Sequence, residues 1–228
     1  NGVSSLGAAY ALSFLPKFEP LAEARDHRRT EAIRDRTFLL LTMANAISVF
    51  HYHVVDIALP LWILYHTSAP IWVLSLLMVL NTVAVVVFQV RFARGAETAQ
   101  GAARLARKAG YWLFLGMFTY SLSTYFDSAW IATLVLIAGS VIHVVGELHQ
   151  ASAAFGIAYG VAPEAVQGQY QAVWSFGAGF GYLLAPIALT TLCLGWGVAG
   201  WVIVGALLFL AGSVAVPYTH LTLPTILL

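Results

Sequence analysis

The 228-residue chain is 60% hydrophobic and 9% charged, against roughly 45 to 50% apolar and 25% charged in soluble domains, and a mean hydropathy of +0.82 excludes water as its main solvent. A formal net charge of +1 excludes the clustered basic excess that a nucleic-acid partner requires. The single cysteine, Cys193, excludes an intramolecular disulfide and a paired-cysteine metal site.

About 20 apolar residues cross the hydrocarbon core of a bilayer. A partial apolar stretch at residues 3–15 has no basic residue before it, so it lacks the pattern of a signal peptide. We read residues 1–16 as the end of a transmembrane helix. Residues 17–36 mix Lys17, Arg25, Arg28, Arg29, Arg34 and Arg36 with Glu19, Glu23, Asp26, Glu31 and Asp35, the composition of a solvated cytoplasmic loop. Six longer apolar segments follow, at residues 37–64, 70–90, 109–126, 130–159, 171–194 and 197–216. Backbone groups in lipid must be satisfied within each segment, which makes these spans helices. The expected fold class is therefore all-α, a polytopic membrane protein with a bundle at residues 37–217. Residues 218–228 do not resemble a basic cytoplasmic tail, and we expect them to be non-native.

All eleven Lys and Arg residues fall in two stretches, residues 17–36 and 91–108. Basic connections stay in the cytoplasm. The first full span is thus expected to run outward, with His66 and Asp127 on the far side. Trp62, Trp72, Trp112, Trp130, Trp174, Trp196 and Trp201 lie mostly near span ends and are expected to anchor at the membrane interfaces.

Ionisable groups cost roughly 2.5 to 3.5 kcal/mol at the centre of a membrane helix on insertion scales. Here they are concentrated in two spans. The first holds His51, His53 and Asp56, and the fourth holds His143, Glu147 and His149. At about 100° per residue, Ser140, His143, Glu147 and Gln150 share one stripe of the fourth span, with His149 nearly opposite. Asn45, Ser48, Tyr52 and Asp56 make a similar stripe in the first, with His53 on its shoulder and His51 turned away. Two polar stripes on different helices imply a shared aqueous path. A carboxylate beside an imidazole can couple proton binding to conformation. Glu147, His143, Asp56 and His53 are the candidates for that role, and Asn45, Ser48, Tyr52, Ser140 and Gln150 are candidates for lining the cavity. For His51 and His149 we expect packing alone.

Side chains at i and i+2 on a helix diverge by about 200°, so neither His51-x-His53 nor Glu147-x-His149 can chelate one ion. No metal or other cofactor is expected. The chain has no nucleophile elbow, phosphate-cradling glycine loop or HExxH motif, and no enzymatic activity is expected. Gly177, Gly179 and Gly181, followed by Pro186, predict close helix contact and a bend in the fifth span.

Three stretches resemble a known family. They are Gly146-Glu147-Leu148 within a span, Ala162-Pro163-Glu164 with Gly168-Gln169-Tyr170 in the loop after it, and the Gly177 to Pro186 run in the next span. With the order of the parts, they resemble the C-terminal half of the major facilitator superfamily, in its drug and proton antiporter branch. The resemblance covers nearly the whole chain except the tail. The segment Gln89-Val-Arg91-Phe-Ala-Arg94-Gly95 departs from the family's Gly-x-x-x-Asp-Arg type of motif by lacking the aspartate, which puts the gating salt bridge assigned to that motif in doubt. The resemblance implies a six-helix half, corresponding to helices seven to twelve, in a multi-pass protein of a plasma membrane such as the bacterial inner membrane. It implies secondary transport, in the form of proton-coupled efflux of small organic compounds. The partners would be the lipid bilayer, the substrate, protons and an N-terminal six-helix half of the same polypeptide. A sugar or metabolite carrier of the same superfamily is the alternative, and a membrane-embedded enzyme is a more distant one.

Overall fold

In a computed structural model, the structure describes Tyr10 and residues 31–221, with side chains up to Ala215. The helix end expected at residues 1–16, most of the loop at 17–36 and the tail beyond residue 221 lie outside the described residues, Tyr10 apart. The last helix runs through Leu221, a few residues into the stretch expected to be non-native.

Among the described residues the chain is helical without strands. A single turn, Glu31–Arg34, leads into six long helical runs. We label them α1 (Arg36–His66), α2 (Val73–Phe92), α3 (Ala99–Leu122), α4 (Ala129–Gly160), α5 (Glu164–Gly195) and α6 (Val198–Leu221). Asp35 starts α1, its carboxylate accepting from the Phe38 backbone N–H at 2.9 Å, a side-chain cap for one of the orphan donors of a helix N-terminus. A two-residue link, Trp196 and Gly197, turns α5 into α6. Gly197 has φ +59, a conformation open to glycine and strained for other residues.

Among the described residues, five of the six runs are long and apolar enough to cross a membrane. The exception is α3, where a sixth span was expected. Its helix begins ten residues before the predicted apolar segment and takes in Arg104, Arg107 and Lys108, all exposed or partly exposed, on one side of a turn whose other side buries Ala102, Ala103 and Leu105. The basic stretch expected to be a connection is thus in part an amphipathic helix continuous with the apolar part of α3.

The packing follows a simple scheme. α1 lies against α5 and α6, α4 lies against α2 and α3, and α3 lies against α6. Exchanging α1 with α4, α2 with α5 and α3 with α6 maps each of these contacts onto another or onto itself, whereas the contact between α5 and α6 has no comparable counterpart between α2 and α3. A unit of three alternating helices ends on the side opposite its start, so its second copy must be inverted. Close approach is supplied by small residues. A Cβ added at Gly177 would strike Thr42 and one at Gly181 would strike the Ala46 carbonyl, whereas Gly179 faces open space. This is the contact predicted for the fifth span, made by two of its three glycines against α1. Past Pro186 the helix widens into a π-turn at Thr190–Gly195.

Two apolar clusters form the core. One gathers Trp62, Leu77, Met117, Leu136, Leu189 and Trp201 toward one end. The other gathers Phe38, Leu41, Ile157, Tyr170 and Trp174 toward the opposite end. Trp62, Trp174 and Trp201 are therefore core residues rather than interface anchors, with Trp62 Nε1 donating to Ser123 Oγ at 3.1 Å. Their indoles fill the wide gaps between helices, a use of tryptophan that position near a span end does not reveal. Trp72, Trp130 and Trp196 are exposed, as an interface role requires.

Candidate functional site

Along α1, α4 and α5 the two apolar clusters are separated by a polar layer at mid-depth. On α1 it lies between Leu41 and Val54, and on α4 between Leu136 and Ile157. Buried polar side chains are tolerated there because they find partners on neighbouring helices. Gln150 Nε2 donates to Asn45 Oδ1 at 3.2 Å, and the Tyr52 hydroxyl donates to Gln150 Oε1 at 3.3 Å. One amide thus joins α4 to two successive turns of α1. The Ser48 hydroxyl donates to the Ala44 carbonyl at 3.0 Å.

His143 is fully buried, with Nδ1 3.3 Å from the Tyr120 hydroxyl of α3. Ser140 is buried on the same side of α4. Glu147 points elsewhere. Its Oε2 accepts from Asn81 Nδ2 of α2 at 2.7 Å. The expected His143–Glu147 neighbours therefore have different partners, on α3 and on α2. Tyr52, Asp56, Tyr120 and Tyr182 all lie within electrostatic range of Glu147.

The stripe on α1 is interrupted. A π-turn at Val54–Ala58 adds a residue to the helical repeat, and Asp56 within it is exposed. His53, half-buried, sets its ring 5.6 Å from Tyr182 of α5 and leaves Nδ1 without a partner. His51, expected to turn away, is fully buried between Tyr52 and His143, with ring centroids 4.0 and 5.7 Å away. The Val49 junction and the π-turn break the uniform rotation on which the wheel was drawn. His149 packs as expected, its ring 4.8 Å from Phe92 and its Nδ1 2.7 Å from the Val145 carbonyl.

A cleft of about 360 Å³ opens beside this layer between α1, α4 and α5, lined by Asn45, Tyr52, Gln150, Phe155, Tyr159, Gln171, Trp174 and Tyr182 among others. Of the expected cavity residues, Asn45, Tyr52 and Gln150 line it. Ser48 instead borders a small pocket of about 30 Å³ that also touches Asn45 and Gln150. Among the described residues no cluster of three or more His, Cys, Asp or Glu could hold a metal ion.

Sequence reasoning missed Asn81, Tyr120 and Tyr182. The signal for Asn81 was present as an amide at the middle of an otherwise apolar span. Tyr120 and Tyr182 also lie inside their spans, and only the packing shows which side chains they meet. Compared with known protein families, curated proteins and solved structures, the chain matches none.

Proposed function

We propose that this chain is one half of a secondary active transporter of the major facilitator type, coupling proton movement to efflux of small organic compounds. The observation that carries this reading is the coincidence of two patterns. The helices exchanged at the centre of the packing scheme, α1 and α4, are the ones whose mid-depth side chains form the polar layer. Inverted repeats that place their polar site at the bilayer midplane are characteristic of secondary transporters, because rocking one unit against the other alternates access to a fixed site.

In this reading Glu147 takes up and releases the coupling proton. A carboxylate at mid-depth is costly when charged and needs a compensating environment, and the Asn81 amide supplies one donor to it. The amide–tyrosine lining of the neighbouring cleft offers hydrogen bonds and ring faces to an uncharged or weakly charged organic substrate. The second wall of the cavity comes from an N-terminal six-helix half, against which the exposed apolar faces of the chain would lie, with the remainder meeting lipid.

The test is expression of the chain with and without such a half, followed by export of fluorescent organic compounds from energised vesicles. Export should require both parts. Full activity of the 228-residue chain alone would contradict the half-transporter reading.

A further inference from the structure

Two imidazoles meet between α1 and α4, His51 and His143. His51 Nδ1 lies 2.6 Å from the Ser48 carbonyl. A carbonyl only accepts, so this nitrogen carries the ring proton and Nε2 is a bare acceptor in the neutral side chain. At His143 a hydroxyl takes the place of the carbonyl. Nδ1 lies 3.3 Å from the Tyr120 hydroxyl, and with that hydroxyl donating, the proton of the ring sits on Nε2. Both side chains are fully buried, their centroids 5.7 Å apart at 80°, and neither Nε2 has a partner. In that arrangement one unpaired Nε2 is an acceptor and the other a donor, each carrying the penalty of a buried polar group left without a hydrogen bond.

We propose that His51 and His143 form a proton-operated latch between α1 and α4. In the neutral pair, a small closure of the two helices lets His143 Nε2–H donate to His51 Nε2. That bond completes a chain running from Tyr120 through both imidazoles to the Ser48 carbonyl. One proton from solvent, added to His51 Nε2, turns the acceptor into a second donor. The bond is lost, the two rings repel, and α1 parts from α4.

The groups facing the pair are Tyr52 on α1 and Tyr120 on α3, with Glu147 one turn along α4 and held by Asn81 of α2. α5 brings Tyr182 against Tyr52 and His53, and Asp56 is exposed further along α1. From α6, no titratable side chain lies between Val198 and Ala215. A negative charge on Glu147 favours the added proton, so the carboxylate and the latch respond to each other. The role of the latch in alternating access rests on the transporter reading, whereas its chemistry does not.

The experiment uses the whole chain in lipid nanodiscs with ¹⁵N-histidine. Imidazole nitrogen resonances are followed by NMR against pH and assigned with His51→Phe and His143→Phe. Spin labels at Met43→Cys and Phe155→Cys, in a Cys193→Ser background, report the separation of α1 and α4. Opposite neutral tautomers are expected, with the proton on Nδ1 in His51 and on Nε2 in His143. Acidification should add one proton to the pair and lengthen the Met43–Phe155 distance, and His51→Phe should abolish the lengthening. The same tautomer in both rings, two protonations each indifferent to the other ring, or a distance unchanged where the pair titrates would overturn the latch. The unsubstituted chain decides the tautomers and the distance even where a variant folds poorly. Neither readout requires substrate or a second half, so failure here is distinct from failure of the transport reading.

Discussion

Asn81 Nδ2 donates to Glu147 Oε2 at 2.7 Å, joining the middle of α2 to the middle of α4. An amide in the centre of an apolar helix is explained by that single partner. Replacing it with Asn81→Leu should destabilise the fold by about 0.5 to 2 kcal/mol, the range measured for hydrogen bonds between membrane helices. Glu147→Gln should cost less, because the glutamine carbonyl still accepts from Asn81. Thermal unfolding in detergent gives the comparison, and equal or reversed losses would remove the bond from the account.

The α1–α5 contact makes a prediction about glycine. Gly181 sits against the Ala46 carbonyl, so Gly181→Ala must push two backbones apart, at about 1 to 3 kcal/mol for overpacking. Gly179 faces open space, and Gly179→Ala should be neutral or slightly stabilising through helix propensity. Unfolding midpoints that fall equally for the two variants would show that α5 does not dock on α1 through this face.

Orientation can be read chemically. Glu97 and Asp127 are both exposed, at opposite ends of α3, and the clustering of Arg91, Arg94, Arg104, Arg107 and Lys108 near Glu97 predicts a cytoplasmic location for that end. Single cysteines at these positions, in a Cys193→Ser background, should differ toward an impermeant thiol reagent in intact cells. Asp127→Cys should be labelled and Glu97→Cys protected. The opposite pattern would invert the topology.

Gln150 is the one side chain bonded to both Asn45 and Tyr52. Gln150→Leu leaves the buried Asn45 amide unpaired and should cost about 1 to 3 kcal/mol. In a double-mutant cycle with Asn45→Ala, the loss should shrink, since no orphan then remains. Additive losses would mean that the two amides do not depend on each other.

The spans were legible in the sequence because apolar length alone sets them. Residues 37–64 and 130–159 were marked within two residues of α1 and α4 at each end. α3 was not, because Arg104, Arg107 and Lys108 hid a helical turn whose apolar side is buried against its neighbours. The polar stripe on α4 was also legible, since Ser140, His143 and Gln150 of a regular helix do fall on one buried side. On α1 the wheel failed from His51 onward, where the Val49 junction and a π-turn that composition does not announce change the repeat. Partners were out of reach, for Asn81 and Tyr120 lie 66 and 23 positions from the residues they bond.

The role of Glu147 is tested most directly by proton-driven accumulation. The chain and an N-terminal half, reconstituted together in vesicles with an imposed pH gradient, would be given a fluorescent organic compound that the unsubstituted protein transports. Glu147→Gln keeps the shape and the acceptor for Asn81 while fixing the charge at zero. The account predicts that this variant inserts normally and still exchanges substrate, yet accumulates none against its gradient. An accumulation ratio equal to that of the unsubstituted protein would contradict it.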